Sequence, residues 1–269
     1  MKKNKVEKDT WAIVTGASKG IGYAFCVYLL ERGWNIVAVA RNTDSINDLA
    51  KNFPNQVVLK LNLDLSDLDS CDKIAEETKN LKVSLLINNA GYGVLGNFRE
   101  SSLEREMNMI DLNIKSLHKL TKIFVNRFQE NNFGRIINIS SVAAFLPGPG
   151  FASYYASKSY VLNLGIAVNH ELKSQNSKVR LVTVCPGPIN TGFWDRSRDN
   201  KSVSGQAKEE QSKALRNFAR KSLNKSLKAN NKDYFIIGIN NIFLNKLLKF
   251  VPKKWAMKVV YRYNRKKNK

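Results

Sequence analysis

Chemistry concentrates in one stretch of this chain, Ile136 to Lys158, which reads IINISSVAAFLPGPGFASYYASK. Tyr154 and Lys158 are four residues apart, so a helix places them on one face. A lysine ammonium beside a phenol favours the phenolate and lowers the tyrosine pKa from its ordinary value of about 10. That suits Tyr154 to acid and base work near neutral pH. Ser140 and Ser141 close an apolar strand, and open α/β sheets bind ligands at the carboxyl ends of their strands. The loop Leu146-Pro147-Gly148-Pro149-Gly150 is stiff at its prolines and permissive at its glycines. It could hold serine and tyrosine on opposite sides of one pocket. A Tyr-x-x-x-Lys pair alone is common and usually describes a solvated helix face.

A second motif changes that balance. Trp11 to Thr15 reads as a buried strand, and Gly16-Ala17-Ser18-Lys19-Gly20-Ile21-Gly22 follows it. Glycines permit a tight turn and close approach of backbone to a pyrophosphate. A helix beginning there offers unpaired amides and a favourable field to phosphates. The spacing is Gly-x-x-x-Gly-x-Gly and not the commoner Gly-x-Gly-x-x-Gly. The end of the next strand reports on cofactor type. An acidic residue there would accept hydrogen bonds from a ribose 2′-hydroxyl, but this chain has Ala40-Arg41-Asn42. Arg41, with Lys19 from the glycine loop, suits a 2′-phosphate, which points to NADP(H).

These motifs need a frame. Apolar strands are expected at 11–15, 35–40, 57–62, 83–88, 135–140 and 179–185, with a shorter one at 234–238. Helices are expected between them: 23–32, 44–53, 67–81, 102–129 and 154–175. Strand and helix alternate, and continuous apolar strands indicate a parallel sheet covered on both faces. The expected fold is therefore a Rossmann-like, doubly wound α/β sheet of about seven strands with a helical C-terminal extension. Residues 1–238 form one catalytic domain and 239–269 the extension.

Composition bounds the rest. The chain has 269 residues, 43% of them hydrophobic, enough for one large core. Net charge is +22, and it is lopsided. From Lys201 onward there are 19 Lys and Arg against 3 Asp and Glu. Cys26, Cys71 and Cys185 are too few and too scattered for a disulfide framework or metal cluster. His118 and His170 stand alone on helices, and no metal is expected. No apolar run is long enough to span a membrane, and the charged N-terminus lacks a signal-peptide core. The cytoplasm is the default location.

Taken together, Thr15 to Gly22, Asn88-Asn89-Ala90-Gly91, Asn113, Ser141, Tyr154-x-x-x-Lys158 and Pro186-Gly187-Pro188-Ile189-x-Thr191 resemble the short-chain dehydrogenase/reductase family, in order and in spacing, from about Thr10 to Thr191. The resemblance implies roles. Tyr154 is the acid in carbonyl reduction and the base in reverse. Lys158 lowers its pKa and binds the nicotinamide ribose. Ser141, thirteen residues before Tyr154, polarises the carbonyl, and Asn113 anchors a water. Tyr155 has the wrong spacing to Lys158. Gly16, Ser18, Lys19, Gly20, Ile21 and Gly22 hold phosphates. Asp64 and Leu65 flank adenine. Asn89, Ala90 and Gly91 line the adenosine side, and Pro186, Gly187, Ile189 and Thr191 the nicotinamide.

The favoured activity is NADPH-dependent reduction of a lipophilic ketone, 3-oxoacyl thioesters first. Tyr92, Phe145, Phe193 and Trp194 are the candidate walls of the substrate pocket. A non-catalytic dinucleotide sensor on the same fold is the rival reading. A dimer or tetramer is expected by analogy with the family. The tail mixes Ile242, Phe243, Leu247, Leu248, Trp255 and Tyr261 with many lysines and arginines. One expectation is an amphipathic helical extension docking on an anionic membrane. Equally open is packing of its apolar face on the enzyme's own body or on a second subunit. No nucleic-acid motif accompanies the charge, so nucleic acid is not an expected partner.

Overall fold

The computed structural model describes residues 9–189, 193–197, 209–248 and 250–268. Seven strands form one all-parallel sheet: β1 Trp11–Thr15, β2 Asn35–Ala40, β3 Val58–Asn62, β4 Val83–Asn88, β5 Arg135–Ile139, β6 Arg180–Pro186 and β7 Tyr234–Ile237. Their order is β3-β2-β1-β4-β5-β6-β7. The sheet grows outward from β1 in one direction and then restarts from β1 in the other. Between β1 and β4 the connections therefore diverge, leaving a crevice at the strands' carboxyl ends.

Side-chain alternation along the strands divides the core into two layers. On one face Ala12, Val14, Ile36, Leu85 and Ile137 pack against Phe25 of α1 (Gly20–Leu30) and against Leu215, Phe218 and Leu223 of α8 (Glu209–Lys228). On the other, Ile13, Val37, Leu86, Ile136 and Leu181 meet Cys71 and Ile74 of α3 (Asp69–Glu77), Phe124 and Phe128 of α5 (Leu117–Glu130) and Leu172 of α6 (Ala152–Ser174). Both faces are covered, which explains why these strands read as unbroken apolar runs. All three cysteines are free and buried.

Local differences from the sequence reading have physical causes. The helix expected over 102–129 is α4 (Leu103–Ile110) and α5, joined through a wider π-type turn at Asp111–Ser116. An extra residue in a helical turn leaves no signature in apolar periodicity, and such turns often mark functional positions. A short helix, α7 (Phe193–Ser197), lies between β6 and α8. The tail forms two helices, α9 (Ile239–Leu248) and α10 (Lys253–Asn268), parted near Pro252 as its fixed φ and missing N–H require. Among the described residues no helix is long and apolar enough to cross a membrane.

One glycine fixes how closely α6 lies on the sheet. A Cβ at Gly165 would stand 2.0 Å from Thr183 Oγ1 and 3.1 Å from Leu181 Cδ2, both on β6. Helix propensity alone would make Gly165→Ala stabilising by roughly 1 kcal/mol. Forcing a methyl into a packed contact costs about 1–3 kcal/mol. The substitution is expected to lower the urea midpoint, because packing outweighs propensity; a raised midpoint would show that α6 can shift.

Candidate active site

The crevice beside β1 and β4 opens into a cavity of about 600 Å³. Its floor is made where the two strands are stitched together. Thr15 Oγ1 accepts from the backbone N–H groups of Asn89 and Ala90, at 2.9 and 3.0 Å. Asn89 Nδ2 donates back to Thr15 O at 2.9 Å. Gly16 takes φ +65°, and Gly22 lies so close that a Cβ there would be 2.1 Å from Gly16 O. The glycines are thus required by backbone contact. Gly16, Ser18, Lys19, Gly20 and Ile21 line the cavity, while Gly22 supports it from behind.

Arg41 stands exposed at the cavity edge after β2. Asn42 turns the chain there, its Oδ1 accepting from Asp44 N at 2.7 Å. Asp64 and Leu65 line the wall after β3. Asp64 Oδ1 is engaged by Ser66 N–H at 2.9 Å and Ser66 Oγ at 2.8 Å, which holds the turn before α3. Asn89, Ala90, Gly91 and Pro186 also face the cavity. Gly187 and Ile189 do not reach it: Gly187 packs under Asn241 of α9, and Ile189 joins the core on the α1 face. Thr191 lies outside the described residues. A Cβ-free cradle against backbone, with cations Lys19 and Arg41 at one end, fits a phosphorylated dinucleotide.

The reactive end lies under α6. Tyr154 stacks on Phe151, ring centroids 4.5 Å apart, with Phe193 at 5.2 Å. Ser141 lies beside its phenol, and Ser141 Oγ accepts from Ala143 N at 3.1 Å. Lys158 Nζ donates to Ile139 O at 3.0 Å and lies 5.8 Å from the Tyr154 ring centroid. Ser140, which lines the cavity where Ser141 does not, donates to Lys158 O at 2.7 Å. Asn113, fully buried in the π-type turn, donates to Tyr92 O at 2.8 Å and Ser157 Oγ at 3.2 Å, and accepts from Tyr92 N at 3.1 Å. A Cβ on Gly91 would touch both Asn113 Oδ1 (2.8 Å) and Lys158 Nζ (3.5 Å), so Asn113, Gly91 and Lys158 form one cluster.

Electrostatics here differ from the expectation that Lys158 lowers the Tyr154 pKa. Burial raises the Tyr154 phenol above its ordinary value, opposed by Ser141 beside it, and burial pushes Lys158 down to about 8. Removal from water penalises each charged form, and neither group's shift has the other among its causes. The phenol is held protonated, the form that donates a proton.

Among the substrate-wall candidates, Phe193 reaches the cavity and Trp194 packs behind it against Phe151. Tyr92 lines the cavity with its hydroxyl tied to Arg105 O and Asn108 Oδ1, both at 2.9 Å. Phe145 does not join them. It closes the short turn Val142–Phe145 and packs on Tyr234, with Leu162 and Cys185 nearby, beyond the sheet edge of the pocket. With about three residues per turn, Ala143 and Phe145 cannot share a side. Tyr155 likewise leaves the pocket, folding over Gly148 and bonding Asn264. Phe151, Arg105 and Asn108 were not singled out by the sequence. Gly93, where a Cβ would be 2.2 Å from Phe151, was the one available trace of the Phe151 stack. Among the described residues no group of three His, Cys, Asp or Glu could hold a metal ion.

The family model for short chain dehydrogenases matches residues 10–202. The chain belongs to that family. An uncharacterised oxidoreductase of Schizosaccharomyces pombe is 34% identical over 66% of this chain and 60% of that protein. A very-long-chain 3-oxoacyl-CoA reductase of Neurospora crassa is 29% identical over 65% of this chain and 55% of its own length. The chain therefore spans little more than half of these relatives. A short-chain dehydrogenase from Sphingobium yanoikuyae in complex with NADPH superposes with a TM-score of 0.71 at 26% identity, covering 90% of this chain and 96% of that one. The short-chain dehydrogenase fold and an oxidoreductase family are thus established for this chain.

The Lys158 environment makes a stability prediction. Its folded pKa of about 8 lies below the unfolded value of 10.5. Between those pH values the unfolded state binds the extra proton, so stability rises with pH through this window. The burial cost present below pH 8 is relieved by about 3 kcal/mol as the ammonium is lost. Relative to wild type, Lys158→Met should therefore be more favourable by about this amount at pH 7 than at pH 10.5, read from urea unfolding. A pH-independent difference would show that Lys158 is not desolvated.

Proposed function

We propose that this enzyme reduces a lipophilic ketone to an alcohol with NADPH, or runs the reverse. The observation that carries the reading is that Tyr154 and Lys158 line one end of a cavity whose other end is the glycine cradle. A nicotinamide dinucleotide held there would supply the hydride. The chain supplies orientation and the proton. Ser141, next to the phenol, would hold the carbonyl oxygen. Tyr154, kept protonated by burial, would give its proton to that oxygen. Lys158 would bind the nicotinamide ribose and support Tyr154, with Asn113 fixing the backbone of Tyr92 beside them.

At the far end, Arg41 and Lys19 would hold the 2′-phosphate, Asp64 and Leu65 the adenine, and Asn89 to Gly91 the adenosine ribose. Thr191 would serve the nicotinamide amide. The stack of Phe151, Phe193 and Trp194 around Tyr154 favours an apolar substrate body. Together with the Neurospora relative, it puts 3-oxoacyl thioesters first, ahead of ketosteroids.

Two measurements test the reading. Tyr154→Phe should lower kcat for ketone reduction by roughly two to four orders of magnitude, the scale of general acid catalysis, while NADPH still binds. Tyr155→Phe should stay near wild type. The reverse pattern would move the proton donor to Tyr155 and sink the assignment. For the cofactor, Arg41→Ala should weaken NADPH by about 1.5–3 kcal/mol, the worth of a charge-assisted hydrogen bond, and leave NADH nearly unchanged. Equal losses for both in titration calorimetry would mean that Arg41 does not read the phosphate.

A further inference from the structure

The C-terminal helix α10 has two faces of different character. The inner one is docked on the enzyme. Asn264 is fully buried and donates to Pro149 O at 3.0 Å. Tyr263 meets Trp194 at 6.0 Å, Lys267 Nζ stands 5.5 Å over the same ring, and Tyr261 donates to Asn97 Oδ1 at 3.2 Å. Part of the tail therefore packs on its own domain, against the proline-glycine loop that leads into Phe151 and Tyr154.

On the outer face, among the described residues, large apolar side chains stand exposed. On α10, Trp255, Val259, Arg262 and Lys266 follow one helical stripe, with Lys258 beside Trp255 at 5.8 Å from its ring. On α9, Phe243 and Leu247 share one side, and Phe250 follows in the turn before Pro252. These are not small exposures: Phe243 is 68% exposed, Phe250 86%, Trp255 68% and Val259 66%. Scattered apolar residues on a surface mean little, but an aligned set with cations between them means more. From residue 239 to the end there are ten Lys and Arg and no Asp or Glu.

We propose that this outer face of α9 and α10 docks on an anionic lipid bilayer. Bulky apolar side chains would enter the boundary between headgroups and acyl chains, and the flanking cations would meet anionic headgroups. Charge decides between occupants. A second copy of this face would set cations against cations, with no acidic residue in either tail to pair them. A nucleic acid would satisfy the cations but leave aliphatic Val259 and Leu247 without a partner. A bilayer satisfies both sets. In this arrangement Tyr263, on the inner side of the docked helix, touches Trp194, which contacts Phe151, the ring stacked on Tyr154. The pocket mouth would sit beside the membrane, suited to delivery of a lipophilic substrate.

Co-sedimentation of the full chain with vesicles tests this, using phosphatidylcholine alone and phosphatidylcholine mixed with phosphatidylserine. The full chain should bind the mixed vesicles at least about tenfold more tightly, and high salt should weaken binding. Trp255→Ser with Val259→Ser should lose about tenfold or more on mixed vesicles, while Lys258→Glu with Arg262→Glu should abolish the preference for them. These side chains are exposed, so thermal midpoint and NADPH affinity in free solution should not change; loss of either would show that the outer face supports the fold and would overturn the proposal. It is also overturned if mixed vesicles are not preferred, or if the serine variant binds like wild type. A single-stranded oligonucleotide that binds as tightly and displaces the vesicles would assign the face to nucleic acid instead. Concentration-dependent dimerisation lost in the serine variant would assign it to a second copy. NADPH binding is read separately, so failure here leaves the carbonyl-reductase reading standing.

Discussion

The closure of β1 against β4 is the contact on which the site depends. Two parallel strands whose connections leave in opposite directions have no loop to cover their shared end. Side chains must join them instead. Thr15 Oγ1 satisfies two amides of the β4 exit, and Asn89 returns a bond to Thr15 O. The exchange holds Gly16 against Ala90 and brings the start of α1 within van der Waals reach of backbone. A larger residue at position 22 would push α1 off the loop and widen the cradle. The glycine spacing follows from how many residues the turn needs before the helix may approach.

Burial sets the chemistry at the other end of the cavity. Lys158 is fixed by the carbonyl of Ile139, and its own carbonyl is held by Ser140, so α6 is pinned to the end of β5 by one residue at both ends. The phenol of Tyr154 lies between rings, beside Ser141. Desolvation dominates here and is only partly offset by Ser141. The site thus holds a neutral acid until ligands bring further charge.

The C-terminal helices connect this site to the surface. Asn264 grips the loop before Phe151, and the ring sequence Tyr263, Trp194, Phe151, Tyr154 runs from helix α10 to the reactive hydroxyl. Positive charge collects on the far side of the same helix. Helix α10 therefore belongs structurally to the pocket, although its composition alone looks like a detachable basic tail.

The sequence by itself determined the frame. Alternating apolar runs and helical periods specify a parallel sheet covered on both faces, because a strand buried twice must be apolar throughout. Gly16, Gly20 and Gly22, and the four-residue spacing of Tyr154 and Lys158, mark the crevice and the reactive helix face, because backbone approach and helical pitch are local properties. Tertiary structure decided what local rules cannot reach. It turned Phe145 toward Tyr234 and left Phe151 as the ring under Tyr154, since a tight turn separates residues that look adjacent in the sequence. It reversed the expected pKa of Tyr154, because desolvation depends on everything packed around a group and not on its neighbour four residues away. It also divided the tail into an inner and an outer face. Which side of an amphipathic helix finds a partner depends on where the chain returns, and only the folded chain brings Asn264 to Pro149.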